Sequence, residues 1–202
     1  MRPKTKSMTL VALDRNGLAT DDFSGAGRTF VLDGDLVLPA GGGVYTADVP
    51  RHIAVYSAGN DAADVFTITG TDRYGKVMTE TITGVNATTV AGKKNFATVT
   101  GGIVGSATIG NIELGTFNSA ETAWIPVEFN INNPYLVSIT VSDAATLTAQ
   151  VEYTLEDPFA PGFDEHSCRK FKGIPEFPCR AIRMRIDDFT DGTATLNIIC
   201  PR

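Results

Sequence analysis

The residues best suited to metal or nucleophilic chemistry are two histidines, His52 and His166, and three cysteines, Cys168, Cys179 and Cys200. His166-Ser167-Cys168 with Cys179 and Cys200 has the residue types of a zinc site. The gap from 168 to 179 is far from the two-to-four-residue spacing of a zinc knuckle, so a surface His beside a loop Cys is expected instead. His52 is expected on the polar face of its strand. Asp187, Asp188 and Asp191 gather three carboxylates before Gly192. Calcium takes such oxygen ligands, but the EF-hand spacing is missing and Asp-Gly is turn chemistry. Glu152, Glu156 and Asp157 supply carboxylates for glycoside hydrolysis, yet nothing places two of them across a cleft. There is no G-x-S-x-G, no H-E-x-x-H and no phosphate-cradling loop. Gly41 to Gly43 and Gly101-Gly102 read as turn glycines, without the strand–turn–helix setting of a nucleotide fingerprint. The sequence therefore predicts no catalytic set, no metal and no cofactor.

The least bland stretch is 156–180, EDPFAPGFDEHSCRKFKGIPEFPCR, with four prolines and four phenylalanines. A long apolar loop of this kind is functional or packed against something. Phe159, Phe163, Phe171 and Phe177 need cover, either from the open end of their own domain or from another subunit. Arg169, Lys170 and Lys172 beside them give the charged rim of an interface. These seven residues are read as an inter-subunit contact. Trp124 begins a strand and packs a core or a subunit contact, with sugar stacking as the other use of a lone Trp.

Strands and turns must position these residues. Short runs of Val, Ile, Thr, Phe and Tyr from His52 to Leu114 alternate with turn clusters such as SAGND, TDRYG and TGVNA. Phe66 and Ile68 alternate with Thr67 and Thr69, and Asp72-Arg73-Tyr74-Gly75 predicts a tight antiparallel hairpin. Asp33-Gly34-Asp35 between Phe30–Leu32 and Leu36–Leu38 predicts another. A polar link at 116–121 marks a boundary. Beyond it, rows at Ile125–Phe129, Tyr135–Val141, Ala145–Leu155, Ile182–Ile186 and Ala194–Cys200 predict further strands. Leu147, Val151, Tyr153, Leu196 and Ile198 are expected to face one core. No segment has apolar positions at helical spacing. The expectation is an all-β protein of two small antiparallel β-sandwich, jelly-roll-like domains. Residues 1–118 would be an N-terminal arm plus one sandwich, and 119–202 the other. The arm, 1–28, is either a peripheral strand and loop or an extension reaching a neighbouring subunit.

With 202 residues, 43% of them hydrophobic, the chain can bury a real core and is not disordered. A net charge of -6 argues against direct nucleic-acid binding, which needs clustered Lys and Arg. No apolar run reaches the length of a transmembrane helix, and Met8–Leu13 is too short for a signal-peptide core. Synthesis and folding in the cytoplasm are expected. An odd cysteine count fits no secreted disulfide framework. Cys200 falls in a buried row, and Cys168 and Cys179 share a loop in which they could meet.

The order SAGND, FTITGTDRYGK, ETITGVNATTV, K-x-F-x-T-V, G-x-x-x-G-x-x-x-I-G resembles virion structural proteins of tailed bacteriophages. The patterns W-x-P-V, N-P-x-x-V-S-I-x-V, Q-V-E-Y-T-L-E-D-P, P-C-R-A-I-R-M-R-I and G-T-A-T-L-N-I-I are similar to small phage virion modules. Together these stretches span roughly residues 29–202, with 156–180 matching least. The resemblance implies a non-enzymatic virion component assembled in the host cytoplasm as a homo-oligomer. It would touch the major capsid protein, as a cement or decoration protein, or else neck and tail proteins. A carbohydrate-binding head-fibre module is the competing class. Neither nucleic acid nor membrane would be a direct partner.

Overall fold

The computed structural model describes residues 3–22, 27–38, 43–127, 136–142, 147–160, 163, 169–170, 179–190 and 192–199. Among these every regular element is a β-strand, and the sheets are antiparallel. The chain is all-β, as the alternation predicts. It divides into two compact units, Ala12–Ser119 and a second made of Met1–Val11 with Ala120–Arg202.

The Ala12–Ser119 unit holds two sheets. One has the order β2-β10-β5-β8, from Ala19–Asp22, Ile112–Thr116, Ile53–Ser57 and Thr89–Ala91. The other has the order β3-β4-β9-β6-β7, from Val37–Leu38, Val44–Arg51, Phe96–Val104, Val65–Thr71 and Val77–Thr83. Inward rows of both sheets join one apolar core that includes Leu18, Phe30, Val55, Phe66, Ile68, Phe96, Val104 and Leu114. Burial follows the alternation closely in β6, where Phe66 and Ile68 are buried and Thr67 and Thr69 are half-exposed.

The hairpin predicted at 72–75 forms. Val65 to Thr71 pairs with Thr83 to Val77. Asp72 Oδ1 accepts the Tyr74 and Lys76 amides at 2.8 and 2.9 Å. Gly75 takes a φ of 80°, which a side chain would resist. The hairpin predicted at 33–35 does not form. Phe30 lies beside β9, donating its amide to Gly102 at 2.8 Å, whereas Val37-Leu38 pairs with β4. Long-range packing wins over the Asp-Gly signal. Asp33 Oδ1 accepts the Thr20 amide at 2.9 Å, and Gly34 donates to Leu18 O at 3.1 Å. A Cβ on Gly34 would collide with the Gly17 backbone, so the turn is seated on the 17–20 segment.

The second unit also holds two sheets. β1 (Lys4–Leu10), β17 (Gly192–Ile199) and β13 (Leu136–Val141) run in the order β1-β17-β13. The other sheet has the order β11-β16-β14-β15, from Ala120–Glu121, Ala181–Phe189, Leu147–Thr154 and Arg169–Lys170, and β12 (Ile125–Pro126) also pairs with β16. The break expected at 118/119 falls within one residue of the division between the units. The assignment of the start of the chain is corrected. Lys4–Leu10 pairs along its whole length with β17, burying Met8 and Leu10, and so belongs with residues 120–202. Of the residues expected to face one core, Tyr153, Leu196 and Ile198 are buried, whereas Leu147 and Val151 are only half-buried.

Candidate functional site

The most chemically dense part of the second unit is one face of the β16 sheet. Register sets Glu152 opposite Arg183, and Gln150 and Glu121 opposite Arg185. Opposite charges on facing positions attract across a sheet. The Arg183 guanidinium sits between two carboxylates. Its Nε donates to Glu152 Oε2 at 2.8 Å, and its Nη1 lies 3.0 Å from Glu121 Oε2. Arg183 is only 3% exposed, and both glutamates are buried. Arg185 extends the ladder, 3.9 Å from Glu152 and 2.9 Å from Asp187, and Gln150 donates to Asp187 at 2.6 Å.

Trp124 covers this centre. The Arg183 Cζ lies 4.5 Å from its ring centroid, a cation–π stack. The connection carrying Trp124 is pinned to β16 at Thr122, whose amide donates to Met184 O at 2.9 Å and whose hydroxyl accepts the Met184 amide at 3.0 Å. Phe163 meets Trp124 edge-on, with centroids 6.0 Å apart. The route from β14 to Phe163 is a series of turns. Thr154 Oγ1 accepts the Glu156 amide at 3.0 Å, and Asp157 Oδ1 accepts the Phe159 amide at 3.0 Å. Ala160 donates to Asp157 O at 3.1 Å, and Phe163 donates to Ala160 O at 3.3 Å. On this segment Leu155 and Phe159 are 55% and 52% exposed.

The seven residues read from the sequence as a contact surface therefore fall into four groups. Phe159 is exposed and Lys170 is exposed beside Glu152 in the β14–β15 pairing. Phe163 is half-buried against Trp124, so this ring finds cover inside its own unit. Arg169 is paired through its backbone with Tyr153. Phe171, Lys172 and Phe177 lie outside the described residues, as do His166, Cys168, Cys200 and Asp191. Cys179 is buried.

The candidate chemistries fare as follows. Glu152, one of the carboxylates weighed for glycoside hydrolysis, is buried, where Arg183 neutralises it. It is held by a fixed cation and is not presented to a substrate. His52 was expected on a polar face and is buried as well. β5 is covered on both sides, and the His52 amide donates to Ser119 Oγ at 2.7 Å. Among the described residues no group of three or more His, Cys, Asp or Glu is placed to hold a metal ion.

The Ala12–Ser119 unit carries a second polar centre that sequence reasoning missed. Asp61 is fully buried, accepts the Ile109 amide at 2.6 Å and accepts the Ser57 hydroxyl. Asp64 hydrogen-bonds to Asp61 and Ser106. Burial, with the bond to Asp61 second, raises the Asp64 carboxyl above the ordinary carboxylate range. A raised folded-state value means that folding favours the protonated form. The contribution is therefore fully present below the unfolded value and is lost as pH rises through the folded one. Asp64→Asn should unfold at a higher temperature than the parent at pH 7. That advantage should shrink as pH is lowered toward about 4, the ordinary carboxylate value. An equal difference at both pH values would show that Asp64 ionisation is not what the fold opposes.

No protein-family model, no curated protein and no solved structure matches the chain.

Proposed function

We propose that this chain is a non-enzymatic structural component of a tailed-phage virion, a cement or decoration protein that binds shell subunits. The resemblance over roughly residues 29–202 supports the virion assignment. One structural observation carries the docking mode: Leu155 and Phe159 stand exposed on a turn segment whose base is fixed by Phe163, Trp124 and Arg183. A held segment presenting apolar side chains binds with little ordering cost, and aromatic anchors dominate interface energetics. Lys170 nearby supplies a polar edge.

The test uses shell particles assembled from the major capsid protein of the phage that encodes the chain. The purified protein should sediment with them. Leu155→Ser with Phe159→Ser should weaken that binding by about tenfold or more, since each 1.4 kcal/mol of lost contact is about tenfold in affinity. Both substitutions are at exposed positions, so the thermal midpoint should hardly move. Binding to tail or neck assemblies but not to shells would overturn the cement assignment. Binding to glycans with no particle affinity would replace it with the carbohydrate-reading class.

A further inference from the structure

We propose that β1 is an exchangeable strand, and that residues 4–10 of one copy add to β17 of a second copy, linking the chains. The inference does not rest on the virion reading. It starts from how β1 is held. The strand belongs to the unit containing residues 120–202, yet the chain beyond Val11 leads into the Ala12–Ser119 unit. Covalently, β1 reaches its sheet partner only through the whole of the other unit. What joins it directly to β17 is the pairing from Lys4↔Ile198 to Leu10↔Gly192. A second copy offers the same register, so every cross-strand contact of the closed form can be remade between chains.

The side chains also suit exchange. On the row facing the unit's interior, opposite Ile198, Leu196, Ala194 and Gly192, β1 supplies Lys4, Lys6, Met8 and Leu10. Only Met8 and Leu10 of these are buried. The opposite row, Thr5, Ser7 and Thr9, is exposed and meets Asn197, Thr195 and Thr193. Ser7 and Thr195 hydroxyls are 2.9 Å apart. A polar strand with two apolar anchors can leave without exposing a large apolar surface. The connection at Val11-Ala12-Leu13 is apolar yet uncovered, with Val11 57% and Leu13 44% exposed. Uncovered apolar residues at a hinge gain cover when two hinges run side by side in an exchanged pair. The partner is thus a second copy of this chain, presenting the same seven residues.

The experiment places the two sides of one pair on different full-length chains. Ser7→Cys is made in an isotopically labelled chain and Thr195→Cys in an unlabelled one. The two are unfolded together, refolded over a range of concentrations and oxidised. Directly opposed antiparallel residues lie about 4.5–5.5 Å apart at Cα, within disulfide reach. Peptide mapping then identifies 7–195 links and separates them from any made by the native cysteines. The expected result is a labelled-to-unlabelled 7–195 link whose share rises with protein concentration. The doubly substituted chain should close the bond within itself when dilute and give linked pairs when concentrated. The idea is overturned if the doubly substituted chain closes only within itself at every concentration and the mixture gives no 7–195 link. Should either variant misfold, the neighbouring pair Thr9 and Thr193 provides the same readout. Shell binding does not enter this measurement, so its failure and that of the cement assignment are told apart.

Discussion

Phe66→Ala should destabilise the Ala12–Ser119 unit by about 3–5 kcal/mol, a sizeable part of what holds a domain of ordinary stability. Phe66 is fully buried on β6, which lies between β9 and β7. On its own face it is flanked by Val104 and Ile82 through the sheet register, and its ring lies 6.3 Å from that of Phe30. Val104 and Ile82 are held by sheet pairing and Phe30 by its amide bond to Gly102, so they resist collapse into the space and the loss combines transfer and cavity terms. Thr67→Ala, one residue away on the outward row, should change stability by only about 0.5 kcal/mol. Urea unfolding followed by circular dichroism measures both. If the two substitutions have similar effects, the inward and outward rows of β6 are wrongly assigned.

That pair of expectations was readable from the sequence because β6 obeys a simple rule, one face in and one face out. β5 and the first half of β16 do not. Ile53, Ala54 and Val55 are all buried, as are Ala181 to Met184. Period-two reasoning gives His52 and Arg183 an outward row, and the fold then covers that row too. The hairpin at 30–38 failed for a related reason. Local Asp-Gly chemistry favours a turn there, but Phe30 finds its partner on β9, distant in sequence, and Val37 pairs onward with the next strand, β4. The site was partly legible. Phe159 and Phe163 were read alike, as rings needing cover in an inter-subunit contact, whereas the structure leaves Phe159 exposed and sets Phe163 against Trp124. That its cover is Trp124 depends on the turns at Thr154, Asp157 and Ala160, which composition does not specify. The Arg183 centre was invisible because its partners are identified by register. Arg183 and Glu152 are 31 residues apart, and shifting β14 by one residue would turn Glu152 to the other face.

The second large effect is at that centre. Arg183→Met should cost the second unit about 3–5 kcal/mol, because it leaves buried charge without its partner. Glu121 and Glu152 would remain as two buried carboxylates, and Arg185 lies as far as 3.9 Å from Glu152. The loss far exceeds the ~0–1 kcal/mol typical of an exposed pair, since at 3% exposure Arg183 is little screened by water. Met fills much of the space over Trp124, so packing is a minor part of the change. The chain has one Trp, Trp124, which stacks on Arg183, so its fluorescence reports unfolding of this unit. A companion variant separates charge from shape. Arg183→Met together with Glu121→Leu and Glu152→Leu removes all three charges, and it should recover most of the lost stability, as apolar replacement of buried ion pairs commonly does. The single substitution should also speed protease cleavage around 155–163, because Phe163 loses the fixed ring it packs on. A cost below ~1 kcal/mol for Arg183→Met would mean that water reaches the glutamates and that the centre does not hold the loop. A triple variant no more stable than the single one would locate the loss in Trp124 packing rather than in charge.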